Sequence, residues 1–225
     1  MGVSDEEMDQ ILNPKLNYVG IWEAGGYHCP DGTLFTWGQI WGLCSRHNIL
    51  NMLANVTDDS GRSVIVLAGT KLDRVLEIGC DYGHDWSALE PYFNEVHGIE
   101  ISDHALLGQQ AGRKIVHGSM DDMSCFEDSF FDVVISGQVL EHSPDINTTL
   151  NEIYRITKPG GWSVHMMPCT PDDIVKEAPS EFHPTILTYS GWVSAFSLHG
   201  FIVARDFFMW GFNQESWVIV VRKFG

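Results

Sequence analysis

The chain has 225 residues, 44% hydrophobic and 19% charged, which suits one globular domain with a sizeable core and excludes disorder throughout. Thirteen Lys and Arg against thirty Asp and Glu give a net charge of −17. Such a surface repels phosphate backbones and anionic bilayers, so neither nucleic acid nor membrane is expected as a partner. The five cysteines are dispersed with no CxxC pair, the amino terminus is acidic, and no apolar run reaches spanning length. Reduced thiols, no secretory signal and a cytoplasmic setting follow as expectations.

Residues 1–70 read as an extension of their own, with a helix predicted over roughly 36–54. There Trp37, Ile40, Trp41, Cys44, Leu50 and Leu53 recur at helical spacing. Trp37 and Trp41 are assigned to the core. Trp22 and Tyr27, in a glycine-rich stretch, fit an aromatic lid over a ligand. The apolar run 63–68 fits either a strand or a helix. His28 beside Cys29, and Cys44 three residues before His47, lack the second ligand pair of a zinc site, and no metal is expected.

From Asp73 the rhythm changes. Apolar runs at 74–79, 95–101, 114–117, 131–136 and 162–167 alternate with helical segments near 84–92, 103–112 and 146–157. Lys158-Pro159-Gly160-Gly161 is the predicted stop of the last of these helices. This alternation predicts a mostly parallel sheet with helices on both faces. A helix near 190–199 then precedes two runs, 201–208 and 217–222, joined by a short loop. That loop allows only an antiparallel hairpin.

The chemistry concentrates after the first of these strands, in Glu77-Ile78-Gly79-Cys80-Asp81-Tyr82-Gly83-His84. Glycines at a strand-to-helix turn let a ligand approach the backbone. A dinucleotide loop needs GxGxxG, but Asp81 and His84 replace its second and third glycines, and an acid there repels a pyrophosphate. A nicotinamide enzyme is therefore disfavoured, and a ligand with a cationic or neutral part at that point is favoured. Glu100 ends the second strand, where a carboxylate can accept from a ribose diol. Gly118-Ser119-Met120-Asp121-Asp122 follows the third strand, and Ser136-Gly137 through Glu141-His142 follows the fourth.

In this order the pieces resemble the class I S-adenosylmethionine-dependent methyltransferases, closest to their small-molecule group. The phrases Val75 to Gly83, Ser129 to Val134, Val139 to His142, and Glu152 to Gly161 carry the resemblance, which spans about Asp73 to Lys223. It implies a Rossmann-like seven-stranded, mostly parallel α/β sheet with an antiparallel carboxyl-terminal hairpin, in a domain over 71–225. It implies S-adenosylmethionine as cofactor and a small-molecule acceptor methylated at oxygen or nitrogen. The cofactor's methionine portion would lie against Glu77, Gly79, Cys80, Asp81 and Gly83, its ribose on Glu100, and its adenine against Ile101, Ser119, Met120 and Asp121. Ser136 and Gly137 would offer carbonyls to the methionine ammonium. Two departures stand out. Asp81 replaces the usual middle glycine, and Ser119 stands where an Asp is frequent.

For a hydroxyl acceptor a base is needed, and His142 at the end of the fourth strand is the first choice, His183 the second. Pro168-Cys169 lacks the companion features of a cysteine nucleophile. Asp121, Asp122, Glu127 and Asp128 read as a solvated loop face. A non-catalytic module of the same fold is the alternative reading.

Overall fold

The computed structural model describes residues 21–23, 26–28, 34–36, 48–56, 63, 71–168, 183–211 and 214–225. Trp37, Trp41, Cys29, Cys44, His47, Cys169 and nearly all of the 63–68 run lie outside them. Near the amino terminus, β1 (Ile21–Glu23), β2 (Gly26–His28) and β3 (Leu34–Thr36) form a small antiparallel sheet. Trp22 and Tyr27 are opposed in its register. Of the predicted 36–54 helix, residues 37–47 lie outside the described residues, and 48–54 are helical as expected. Residue 36 ends a strand, and the described helix, α1, covers 48–54. Strands of three residues are too short to display a period of two, so helical spacing was the only pattern visible there.

The main sheet contains β4 (Leu72–Ile78), β5 (Phe93–Glu100), β6 (Lys114–His117), β7 (Phe131–Gly137), β8 (Thr157–Pro168), β9 (Phe201–Gly211) and β10 (Gln214–Lys223). Their order across the sheet is β6-β5-β4-β7-β8-β10-β9. The pairs from β6 to β8 are parallel, and β10 runs antiparallel to both β8 and β9. This is the seven-stranded arrangement expected, hairpin included. The connections leave β4 in one direction and β7 in the other. The crevice between their carboxyl ends is where an open sheet of this kind binds ligands.

Strands of a sheet covered on both faces should be apolar throughout. Val133, Val134 and Ile135 of β7 are fully buried, and they divide alternately between two core clusters. On one face Val75, Val133 and Ile135 meet Met52 and Leu53 of α1, Leu89 of α2 (Trp86–Leu89) and Ala105 of α3 (His104–Gln110). On the other, Leu76 and Val134 meet Leu150 and Ile153 of α4 (Ile146–Ile156) and Trp192 and Phe196 of α5 (Tyr189–Leu198). Helix α2 is a single turn, shorter than the 84–92 segment predicted. The stretch Lys158 to Gly161 lies in β8, and α4 ends one residue before that strand begins.

The carboxyl end of α4 is closed from a distance. Lys223 on β10 donates through Nζ to the carbonyls of Tyr154 (2.7 Å) and Thr157 (2.8 Å) and lies over the Tyr154 ring. A cation suits a helix carboxyl terminus, and these carbonyls otherwise lack helical partners. Lys223→Met keeps the buried stem and removes the donors. It is expected to cost about 2 kcal/mol and to lower Tm by roughly 4–8 °C, read by thermal denaturation. Among the described residues, no helix is long and apolar enough to cross a membrane.

Candidate functional site

The turn after β4 is held open by its own backbone. Gly79 has φ +69°, and a Cβ there would come within 2.4 Å of a Val139 methyl. The turn therefore packs directly against the loop that follows β7, and only glycine allows it. Asp81 also takes a left-handed conformation, φ +52°, unusual for a residue with a side chain. Glu100 supports it from β5, since its Oε2 accepts from the Asp81 amide (3.0 Å) and its Oε1 from the Ser102 amide (2.8 Å). The Asp81 carboxylate lies between His84 Nε2 (2.7 Å) and His104 Nδ1. The predicted pair Asp81 and Glu100 is thus brought together by main-chain contact.

Glu77 is buried at the end of β4, and its Oε2 has no hydrogen-bond partner. Burial pushes its carboxyl well above the ordinary value, and the nearby carboxylates of Asp85, Asp81 and Glu100 add to the rise. Asp85, which sequence reasoning passed over, is itself buried. Burial likewise raises the Cys80 thiol, and Glu77 reinforces it, so this cysteine is held as a protonated packing group. The crevice mouth thus gathers four carboxyl groups, and among the described residues no Lys or Arg perturbs Glu77. A raised folded pKa means that Glu77 favours the fold fully only below its unfolded value. That contribution is lost as pH rises through the folded pKa. Glu77→Gln is therefore expected to raise Tm at neutral pH, by about 2–4 °C per kcal/mol recovered, and to have little effect near pH 4. Thermal denaturation across pH checks it.

On the far side of β5, Ile101 is exposed, where a flat ligand could cover it. Ser119 and Asp121 are joined through the Ser119 hydroxyl, which accepts from the Asp121 amide (3.2 Å). Asp121 Oδ1 accepts from Ser143 (3.1 Å) and from Thr149. Asp121 therefore ties the post-β6 loop to the post-β7 segment. Asp128 pairs with Arg155 at 2.7 Å, and Arg155 also reaches Glu152 and the carbonyls of Met123 and Phe126. For Asp121 the solvated-face reading is corrected, since it accepts from the buried Ser143 and Thr149, whereas Asp122, Glu127 and Asp128 are exposed as expected. Met120 packs on the core beside them.

Ser136 is fully buried, and its Oγ bonds His165 Nδ1 (2.7 Å), whose Nε2 bonds Ser163 (2.6 Å). Burial drives the His165 pKa down to about 3, so it stays neutral inside the sheet. Gly137 follows, with space around its α-carbon except for the Met166 methyl. Gln138 then turns at φ +58°, and its amide donates to the Met166 carbonyl (2.8 Å).

The 3₁₀ helix Leu140–His142 places Glu141 and His142 side by side. His142 is half exposed, and its ring centroid lies 4.9 Å from that of His183. Glu141, missed from sequence, is buried, and burial raises its carboxyl to about 7. The structure brings both candidate bases, His142 and His183, to one place.

A family model described as a methyltransferase domain matches residues 76–165. A demethylmenaquinone methyltransferase of Geobacillus kaustophilus is 30% identical over 156 residues, covering 64% of this chain and 62% of that protein. A ubiquinone biosynthesis O-methyltransferase of Bordetella avium is 28% identical over 96 residues, 40% of each. The chain thus spans less than two thirds of the length of these relatives. The solved structure of YcgJ from Bacillus subtilis superposes with a TM-score of 0.63 at 16% identity, covering 80% of this chain and 99% of that one, a likeness of fold.

The ligand implied carries a sulfonium cation and an ammonium group. The unpartnered Glu77 oxygen and the surrounding carboxyl groups fit such a ligand and oppose a pyrophosphate.

Proposed function

We propose that this chain, whose residues 76–165 belong to the class I S-adenosylmethionine-dependent methyltransferases, transfers the cofactor's methyl group to a hydroxyl of a small molecule. The observation that carries the reading is the acidic turn at the sheet's switch point, Glu77, Asp81, Asp85 and Glu100. S-adenosylmethionine, when bound, supplies an activated methyl on a sulfonium leaving group. Glu77 draws the cationic end of the ligand into the crevice. Glu100 accepts from the ribose hydroxyls with the lone pairs that its two amide donors leave over. Ser136 and Gly137 turn carbonyls toward the ammonium. Ile101 and Met120 flank the adenine. Asp121, already accepting from Ser143 and Thr149, positions that wall more than it reads the base.

His142 and His183 face the acceptor, and His142 takes the hydroxyl proton. The relatives named for quinone biosynthesis support a flat, hydroxylated ring as the acceptor. The division at residue 70 belongs to the same reading, with the preceding segment as cover over the acceptor. Helix α1 joins that segment to the domain by sharing its core.

The test is transfer of labelled methyl from S-adenosylmethionine to a panel of hydroxylated ring compounds, beside calorimetric titration with S-adenosylhomocysteine. Micromolar binding with label in an ether product is the expected result. Binding with no transfer to any acceptor would favour the non-catalytic module.

A further inference from the structure

Glu141, His142 and His183 form a cluster that neither the fold nor the cofactor reading uses fully. One ligand atom of each lies within 4.8 Å of the other two. Glu141 is 96% buried by residue (4% exposed), yet its Oε2 has no hydrogen-bond partner. A buried carboxylate oxygen left unsatisfied costs about 1–3 kcal/mol and calls for an explanation. Its Oε1 stands 3.9 Å from His142 Nε2, too far for a hydrogen bond.

The scaffold beneath the cluster is built, not incidental. The strap that carries His183 is pinned at Glu141 and at Ser143. The Thr185 amide donates to the Glu141 carbonyl (3.1 Å), and Thr185 Oγ1 donates to the Ser143 carbonyl (2.7 Å). The cluster sits at the carboxyl end of β7, and Val139, beside it, packs against the Gly79 turn. It therefore shares the crevice.

We propose that Glu141, His142 and His183 bind a first-row divalent transition-metal ion, which activates the acceptor hydroxyl. The proposal rests on the methyl-transfer reading of this crevice and replaces His142 as base by coordination. Two imidazoles and one carboxylate suit a transition ion better than magnesium, and three protein ligands leave positions open for a substrate. Ligands about 2.1 Å from one ion stand at most about 4.2 Å apart. The 3.9 Å between Glu141 Oε1 and His142 Nε2 already lies within that limit.

A coordinated hydroxyl loses its proton to solvent far more readily than a free one. Its oxygen then forms the new C–O bond to the methyl carbon. The C–S bond breaks with its electron pair retained by sulfur, leaving a methyl ether and a neutral thioether. No oxidant or reductant is consumed.

The test is titration of the full chain, freed of metal by chelation and desalting, with cobalt(II). The expected result is one ion per chain with visible ligand-field absorption. Glu141→Gln and His183→Ala should each weaken that binding by more than the roughly 10–100-fold that losing an outer-shell partner costs. Binding of S-adenosylhomocysteine, measured on the same samples, should persist in both variants and shows that they are folded. Should Glu141→Gln fail that control, His183→Gln on the surface strap decides. Absence of the band in wild type, or a band unchanged in folded variants, overturns the proposal. Cobalt bound as expected without S-adenosylhomocysteine binding would overturn the methyl-transfer reading and leave the metal site standing.

Discussion

Glu100→Ala is expected to weaken S-adenosylhomocysteine binding by about 10²–10⁴-fold, since a charged hydrogen bond contributes about 1.5–3 kcal/mol and a ribose diol makes two. The side chain has a second duty, because its two oxygens hold the amides of Asp81 and Ser102. Removing it frees Asp81 from the support of its left-handed conformation. The loss should therefore exceed that of the ribose contacts alone. Glu100→Gln separates the two effects. Its single acceptor oxygen can keep one of the amide bonds, so an intermediate loss is expected. Calorimetry on all three proteins reads the series, and equal affinity in wild type and Glu100→Ala would remove the ribose assignment.

His142→Ala is expected to lower methyl transfer by about 10²–10⁴-fold while leaving S-adenosylhomocysteine affinity within about twofold of wild type. The residue lies past the β7 turn, on the side away from Glu100, and half of its surface is open. The expected split between turnover and cofactor binding distinguishes an acceptor-side role from a structural one. A His142 that merely ends the 3₁₀ helix would leave the rate unchanged.

The sheet was legible because its strands are apolar runs bounded by charge and glycine. The run 114–117 coincides with β6, and the 131–136 run falls one residue short of β7. Helix α4 was legible from the spacing of Leu150, Ile153 and Ile156, all fully buried. The turn after β4 was readable because glycine, acid and chain order together constrain it. Glu141 was not. Nothing in a Leu-Glu-His string tells that the acid is buried and the histidine exposed, since the 3₁₀ turn decides it. His165 was hidden for the same reason. A histidine inside an apolar strand is visible in sequence, but its two serine partners are fixed by register with β7 and by β8 itself. The small sheet β1 to β3 was missed because strands of three residues are too short to show an apolar alternation.

The order of the sheet also bears on how the protein is made. β10 lies between β8 and β9, yet it is synthesised after both. Until it leaves the ribosome, β8 presents a bare edge carrying Val164, Met166 and Met167, which the finished fold buries. Exposed apolar edges invite pairing with other chains. The nascent chain thus passes through a stage in which most of the crevice between β4 and β7 can exist while the sheet stays adhesive. Slow translation through β10, or its loss by premature termination, should therefore produce aggregates and not a smaller folded protein.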